Sequence, residues 1–266
     1  MKRFFAEYRN DYTTYTFSYA AYCVKEAQSE IPTIYAEGFL PYTGRQDLSA
    51  EVFYMARSLR IDLARFEDTS ENRRVDRLTT PLNITLEVTP KAEFDTSLPE
   101  FVAFCTEYAE ERFAGGSMDA ARLRYVLSRE LLTHIFTFRS AGKPLGYVFA
   151  VCEGEILHYW YSFFDTTYMQ TFPLGKWMMW RTLRWAKEQG LRYGYLGTCY
   201  QPKALYKVRD HKGCEFFDGM GWSSDLKVLK ALCTADSEPS AYADTFKQRE
   251  HPLQEGFCAY LGENRV

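Results

Sequence analysis

Gly190-Leu191-Arg192-Tyr193-Gly194-Tyr195-Leu196-Gly197, with Lys203-Ala204-Leu205-Tyr206-Lys207 shortly after it, is the stretch that decides the fold. Residues 174–189 before it are rich in Trp and basic side chains and read as a long helix, with Gly190 as its stop signal. The apolar run Tyr193–Leu196 then reads as a short strand. That strand opens into a loop carrying two lysines and a tyrosine.

Upstream, three strands are expected at Ile135–Arg139, Leu145–Cys152 and Ile156–Phe164, joined by tight turns at Ala141-Gly142-Lys143 and Glu153-Gly154-Glu155. Two helical stretches precede them, Pro99–Phe113 and Met118–Leu132. The polar, Pro-flanked run Thr89–Pro99 reads as a seam. Before it, Glu51–Phe66 suggests one or two strands, Ser70 a helix cap, and Ile84–Val88 another strand. Gly38–Gly44 is turn chemistry, and residues 1–30 are aromatic, with alternation at Tyr12–Phe17. The run Asp236-Ser237-Glu238-Pro239-Ser240 is loop-like. The expected organisation is a smaller N-terminal α+β region (1–95), an α/β domain with a mixed central sheet (96–235), and a tail (236–266).

The chain has 266 residues, 46% of them hydrophobic and 25% charged, which is ordinary for a globular protein with a real core. Its 20 Phe, 20 Tyr and 5 Trp point mainly to aromatic packing, with base stacking as the sharper reading for a few rings. Cysteines 23, 105, 152, 199, 214, 233 and 258 form no Cys-x-x-Cys pair, which argues against a disulfide framework and a four-thiolate zinc site. His134, His158, His211 and His251 show no metal spacing either. No apolar run of about 18 residues is present, so no membrane span is expected. The N-terminus turns polar too soon for a secretory signal, and the expected compartment is the cytoplasm. Net charge is −3, yet residues 170–232 hold eleven Lys/Arg against five acids, a local +6. Such a region suits an RNA backbone, or is simply a solvated helix face.

The opening stretch resembles the C-terminal half of the aminoacyl-tRNA–protein transferases, the arginyl- and leucyl-transferases that extend protein N-termini. Their pattern there is roughly Tyr-Leu-Gly-Tyr, a polar stretch, then Lys-Met-x-Tyr-Lys. Here it is Tyr195-Leu196-Gly197-Thr198, then Lys203-Ala204-Leu205-Tyr206-Lys207. A second likeness, to an N-terminal Gly-Phe-Arg-Arg-Ser-Gly and a later Gln-Arg-Arg run, falls on Gly38-Phe39, Thr43-Gly44, Tyr54, Leu59–Phe66 and Ser70–Arg74. Together they cover most of the chain. Leu40-Pro41 replace the family's paired arginines, and Phe53–Ser58 carry no thiol where the family has cysteines. These departures bear on acceptor recognition rather than fold. The order of helix, helix, antiparallel meander, helix and strand is also similar to that of an acetyltransferase-like (GNAT-type) domain.

The resemblance implies transfer of arginine or leucine from charged tRNA to the α-amine of a protein or peptide with an acidic N-terminus. An ester donor is already activated, so no cofactor is implied; the site must orient the amine and stabilise an oxyanion. Asp165, Tyr161 and Tyr195 are the implied catalytic residues, Asp165 alternatively being a loop cap. Arg60, Arg73, Arg74 and Tyr159 are the substrate-binding candidates, the arginines alternatively forming ion pairs with Asp62, Glu67 or Asp76. Lys203, Tyr206 and Lys207 are the tRNA-binding candidates, the lysines alternatively being solvated charges. The rival reading is an acetyl-CoA-dependent N-acetyltransferase. Its pyrophosphate loop would be Gln170-Thr171-Phe172-Pro173-Leu174-Gly175-Lys176, which has one glycine and a proline that removes a donor. A third reading is a non-catalytic RNA- or peptide-binding module.

Overall fold

The computed structural model describes residues 1–11, 16–44, 46, 48–113 and 118–237. In chain order it begins with β1 (Lys2–Asp11), β2 (Thr16–Val24), α1 (Ile31–Ala36), β3 (Phe39–Pro41), β4 (Val52–Met55) and β5 (Ser58–Asp62). Then come α2 (Ser70–Thr79), β6 (Thr85–Pro90), α3 (Pro99–Arg112), α4 (Ala120–Ser128), β7 (His134–Ser140), β8 (Lys143–Glu153) and β9 (Ile156–Phe164). The last are α5 (Leu174–Glu188), β10 (Tyr193–Thr198), α6 (Tyr206–Arg209), β11 (Cys214–Phe217), β12 (Trp222–Ser223) and α7 (Leu226–Ala235). Of the stretches read from sequence, Tyr12–Tyr15 and the tail beyond residue 237 lie outside the described residues.

The elements form two compact units. Among the described residues, one is built from the stretches within 1–59, 197–209 and 214–237, the other from those within 60–196 and 210–213. The seam expected near residue 95 falls inside the second unit, where β6 pairs antiparallel with β7. In the first unit, a four-stranded antiparallel sheet has the order β1-β2-β4-β3. Phe4, Val24, Leu48 and Val52 are buried together there. Gly38 is a required glycine: its φ is +86°, and a Cβ would lie 2.3 Å from the Phe217 ring. So the turn chemistry of Gly38–Gly44 narrows to Gly38, because Phe39–Pro41 already pair with β4.

In the second unit, strands of the larger mixed sheet stand in the order β5-β10-β9-β8-β7-β6. β6 to β9 form an antiparallel meander. Ala141 and Gly142, at φ 48° and 80°, give the β7–β8 hairpin a left-handed two-residue turn, the kind that matches strand twist. β10 pairs in parallel with β9, which demands a crossover, and α5 supplies it. Gly190 ends α5 at φ 74°, its N–H donating to the Lys187 carbonyl while the Leu191 N–H donates to Ala186. α2 is capped by Thr69 rather than Ser70: the Asn72 N–H donates to Thr69 Oγ1 at 3.1 Å, and the Thr69 N–H to Asn72 Oδ1 at 2.9 Å.

Alternation along the strands divides the core. Ile135, Tyr147, Phe149 and Phe163 pack with Phe101, Leu123 and Val126 of α3 and α4. Phe136 and Phe138 instead meet Trp185 and Trp177 of α5. The helix α5 seats deeply because two strand positions lack side chains. A Cβ on Gly194 would lie 2.5 Å from Leu183 Cδ2, and one on Gly146 would lie 2.7 Å from Met178 Cε. Gly194→Val is therefore expected to destabilise the fold by about 1–3 kcal/mol through overpacking. Urea unfolding should show a lower midpoint with an unchanged slope; an unchanged midpoint would contradict this packing.

Candidate functional site

β9 and β10 pair from Ile156–Tyr193 to His158–Tyr195, and their register stops there, although β9 continues to Phe164. On the other edge of β9, Tyr159 lies opposite Ala150 and Tyr161 opposite Phe149, so Trp160 is the extra residue of a bulge. A bulge raises local twist and bends its strand. The two parallel strands therefore part just beyond His158, at their carboxyl ends, where open α/β sheets take ligands.

Side chains around this parting come from alternating positions. Gly194 faces Leu183 of α5, so Tyr193 and Tyr195 point to the opposite face of the sheet. Arg60 sets its guanidinium carbon 3.9 Å from the centre of the Tyr193 ring. Tyr195 is fully buried, which pushes its phenol up to about 12, with Arg60 pulling the other way. At neutral pH it is a protonated donor, not a base. Tyr159 is also buried. Trp160 and Tyr161 are half-buried, with ring centres 5.3 Å apart, and the His158 ring centre lies 6.4 Å from that of Trp160.

The remaining expected residues divide by contact. Asp165 ends β9 and caps the next turn: its Oδ1 accepts from the Thr167 N–H at 3.0 Å and hydroxyl at 2.6 Å. Arg73 donates to the Asp68 carbonyl at 2.7 Å. Arg74 forms a two-pronged pair with Glu71 at 2.7 and 2.8 Å, so its partner is none of the three acids expected. Arg60 is buried and committed to the Tyr193 ring rather than presented to solvent. In the first unit, Lys203 and Tyr206 are exposed. The Lys207 ammonium turns inward and donates to the Thr198 carbonyl at 3.1 Å, and burial pushes its pKa down. Tyr161, Tyr195 and Asp165 thus lie along one pair of parting strands.

Sequence reading missed the charge network at the start of α5. Lys176, in the first turn, pairs with Glu71 at 3.0 Å and Asp210 at 2.9 Å. The side chains of Arg74 and then Lys176 hold the Glu71 carboxyl down at about 2. His211, beside Asp210, packs 6.1 Å from Phe66, and burial holds it at about 4. Residues 71, 176 and 210 are too far apart in sequence for any spacing to show this. The same turn is where a coenzyme A pyrophosphate would be tested. Pro173 is the N-cap of α5 and, having no N–H, offers no main-chain donor at that place in the turn. The turn fits that group poorly. A Cβ on Gly175 would meet the Phe164 ring at 2.8 Å, and two carboxylates hold the nearest lysine. Among the described residues, no group of three or more His, Cys, Asp or Glu is placed to hold a metal ion, and no helix is long and apolar enough to cross a membrane.

Residues 70–208, just over half of the chain, match the family model described as acetyltransferase (GNAT) domain. No curated protein matches. Among solved structures, the chain is similar to L-PGS from Bacillus licheniformis at TM-score 0.41 and 12% identity, covering 63% of this chain and 49% of that one. It is similar to FemX at TM-score 0.41 and 12% identity, covering 63% and 59%. The chain thus spans about half the length of the first and three-fifths of the second.

The buried histidine gives stability a pH dependence. Unfolded, His211 binds a proton near 6.5; folded, only near 4. The unfolded chain therefore holds more protons in that window, and stability falls as pH drops through it. Glu71 acts lower, its contribution being present above 4.5 and lost toward 2. Between pH 7 and 5, wild-type stability should fall by roughly 2 kcal/mol more than that of His211→Gln, measured by urea unfolding. Equal falls in the two proteins would contradict the assignment.

Proposed function

The chain belongs to the acetyltransferase (GNAT) domain family, and from that footing we propose that it is an aminoacyltransferase taking its amino acid from charged tRNA. Acyl transfer is the family's chemistry; the donor is the new element. The observation that favours an aminoacyl ester over acetyl-CoA is the first turn of α5. There Phe164 crowds Gly175, and Glu71 and Asp210 occupy Lys176. A diphosphate placed there would have to draw Lys176 away from Glu71 and Asp210 and would meet a closed turn. A tRNA 3′ ester has no such group beside its acyl carbonyl.

In this reading the ester lies where β9 and β10 part. Main-chain groups at the Trp160 bulge face the carbonyl oxygen as it becomes an oxyanion. The α-amine of the acceptor attacks the carbonyl carbon, the carbon–oxygen bond to the ribose breaks, and the amine's proton ends on the ribose hydroxyl. Asp165 orients the attacking amine, since a carboxylate has two acceptor oxygens and its Thr167 contacts use one of them. Tyr161 lines the opening, and Tyr195 with Arg60 stiffens its floor. Lys203 and Tyr206 are the candidates for contacts with the tRNA. Arginine or leucine is the amino acid moved, and a protein or peptide with an acidic N-terminus receives it.

The test is transfer of radiolabelled arginine and leucine from their tRNAs to peptides beginning with Asp, Glu or Ala, with acetyl-CoA in parallel. Label on an acidic peptide, and none from acetyl-CoA, is expected. Acetylation without aminoacyl transfer would overturn the reading. Asp165→Asn should lower kcat by about 10²-fold. Its melting temperature should stay near wild type, because Asn caps as well as Asp does.

A further inference from the structure

Gln201 stands immediately before the 3₁₀ turn Pro202–Leu205 that carries Lys203, and its backbone has φ 62° and ψ 158°. That region is open essentially to glycine alone. A non-glycine residue persists there only where its surroundings over-determine it.

The surroundings here are two buried charges. Asp236, at the end of α7, accepts from the Gln201 N–H through Oδ2 at 2.8 Å. The same carboxylate receives both guanidinium arms of Arg57, at 2.7 and 3.2 Å. Arg57 in turn donates to the Cys199 carbonyl at 3.3 Å, and its guanidinium lies 4.8 Å from the Tyr200 ring. The main-chain N–H of Arg57 donates to the Tyr200 hydroxyl at 2.9 Å, and that of Cys199 to the Arg57 carbonyl at 2.9 Å. Residues 199, 200 and 201 are thus each held by the Arg57–Asp236 pair. Both charges are nearly buried, with side-chain exposures of 12% and 5%, so the pair is bidentate and well shielded from solvent. A loop needing only to turn would use glycine at 201 and need no buried ion pair.

We infer that Arg57 and Asp236 are positioning residues that hold Gln201 in its strained conformation and thereby fix Lys203 and Tyr206 for the donor tRNA. This rests on the aminoacyl-transfer reading above. Gln201→Gly relieves the strain while keeping the N–H that Asp236 holds, and it frees the turn.

The experiment measures binding of arginyl- and leucyl-tRNA analogues carrying an amide in place of the 3′ ester. Wild type, Gln201→Gly and Asp236→Asn are compared, with melting temperature and steady-state kinetics alongside. For Gln201→Gly the expected result is a melting temperature equal to or above wild type and a Kd and donor KM about tenfold weaker. Its kcat should stay within about twofold of wild type. Asp236→Asn should weaken Kd in the same direction while melting lower. Wild-type binding with an unchanged Kd in Gln201→Gly would overturn this inference and leave the parent reading standing. No binding of either analogue by wild type would overturn both.

Discussion

Leu183 of α5 rests on the bare backbone of Gly194, and the second unit depends on that approach. Parallel strands cannot be joined by a hairpin, so β9 and β10 meet only if the crossover helix lies close on the sheet. Gly146 lets Met178 do the same on β8. Once α5 is seated, the Trp177 indole N–H donates to Asp76 at 3.0 Å and that of Trp180 to Asp68 at 2.8 Å, tying α2 and the segment before it to α5. The bulge at Trp160 then decides where the pairing ends. Close packing makes the parallel pair, and one extra residue opens it.

Charge differs on the two sides of the sheet near the opening. On the sheet face away from α5, a buried cation meets aromatic rings, Arg60 over Tyr193 with Tyr195 beside it. At the start of α5, carboxylates surround the lysine instead. Carboxylates at a helix N-terminus favour the helix dipole while disfavouring a bound polyanion. In the proposed reading, the arrangement that stabilises α5 also disfavours a diphosphate-bearing donor.

Much of the second unit was legible because its elements are long and strongly patterned. The meander from residue 134 to 164 has clear period-two stretches and turn residues, and α5 has an unbroken helical period ended by Gly190. β11, β12 and α7 were not read from the sequence; two of them are strands of four and two residues, too short for a period to show. The division into units was hidden because it is discontinuous, with residues 197–209 returning to the first unit. Around the opening, the strand pair and the place of Asp165 at the end of β9 were legible. The inward turn of Lys207 was not, since a lysine in a loop reads as exposed until the Thr198 carbonyl is seen beneath it. Nor was the bulge, which depends on what lies opposite on β8.

In the proposed reading an aminoacyl ester occupies the opening between β9 and β10. Hydrogen–deuterium exchange with an amide-linked aminoacyl-tRNA analogue, against coenzyme A, reads it directly. The account predicts slowed exchange at residues 159–164 and 196 with the analogue and none with coenzyme A. Protection of those residues by coenzyme A alone would contradict it.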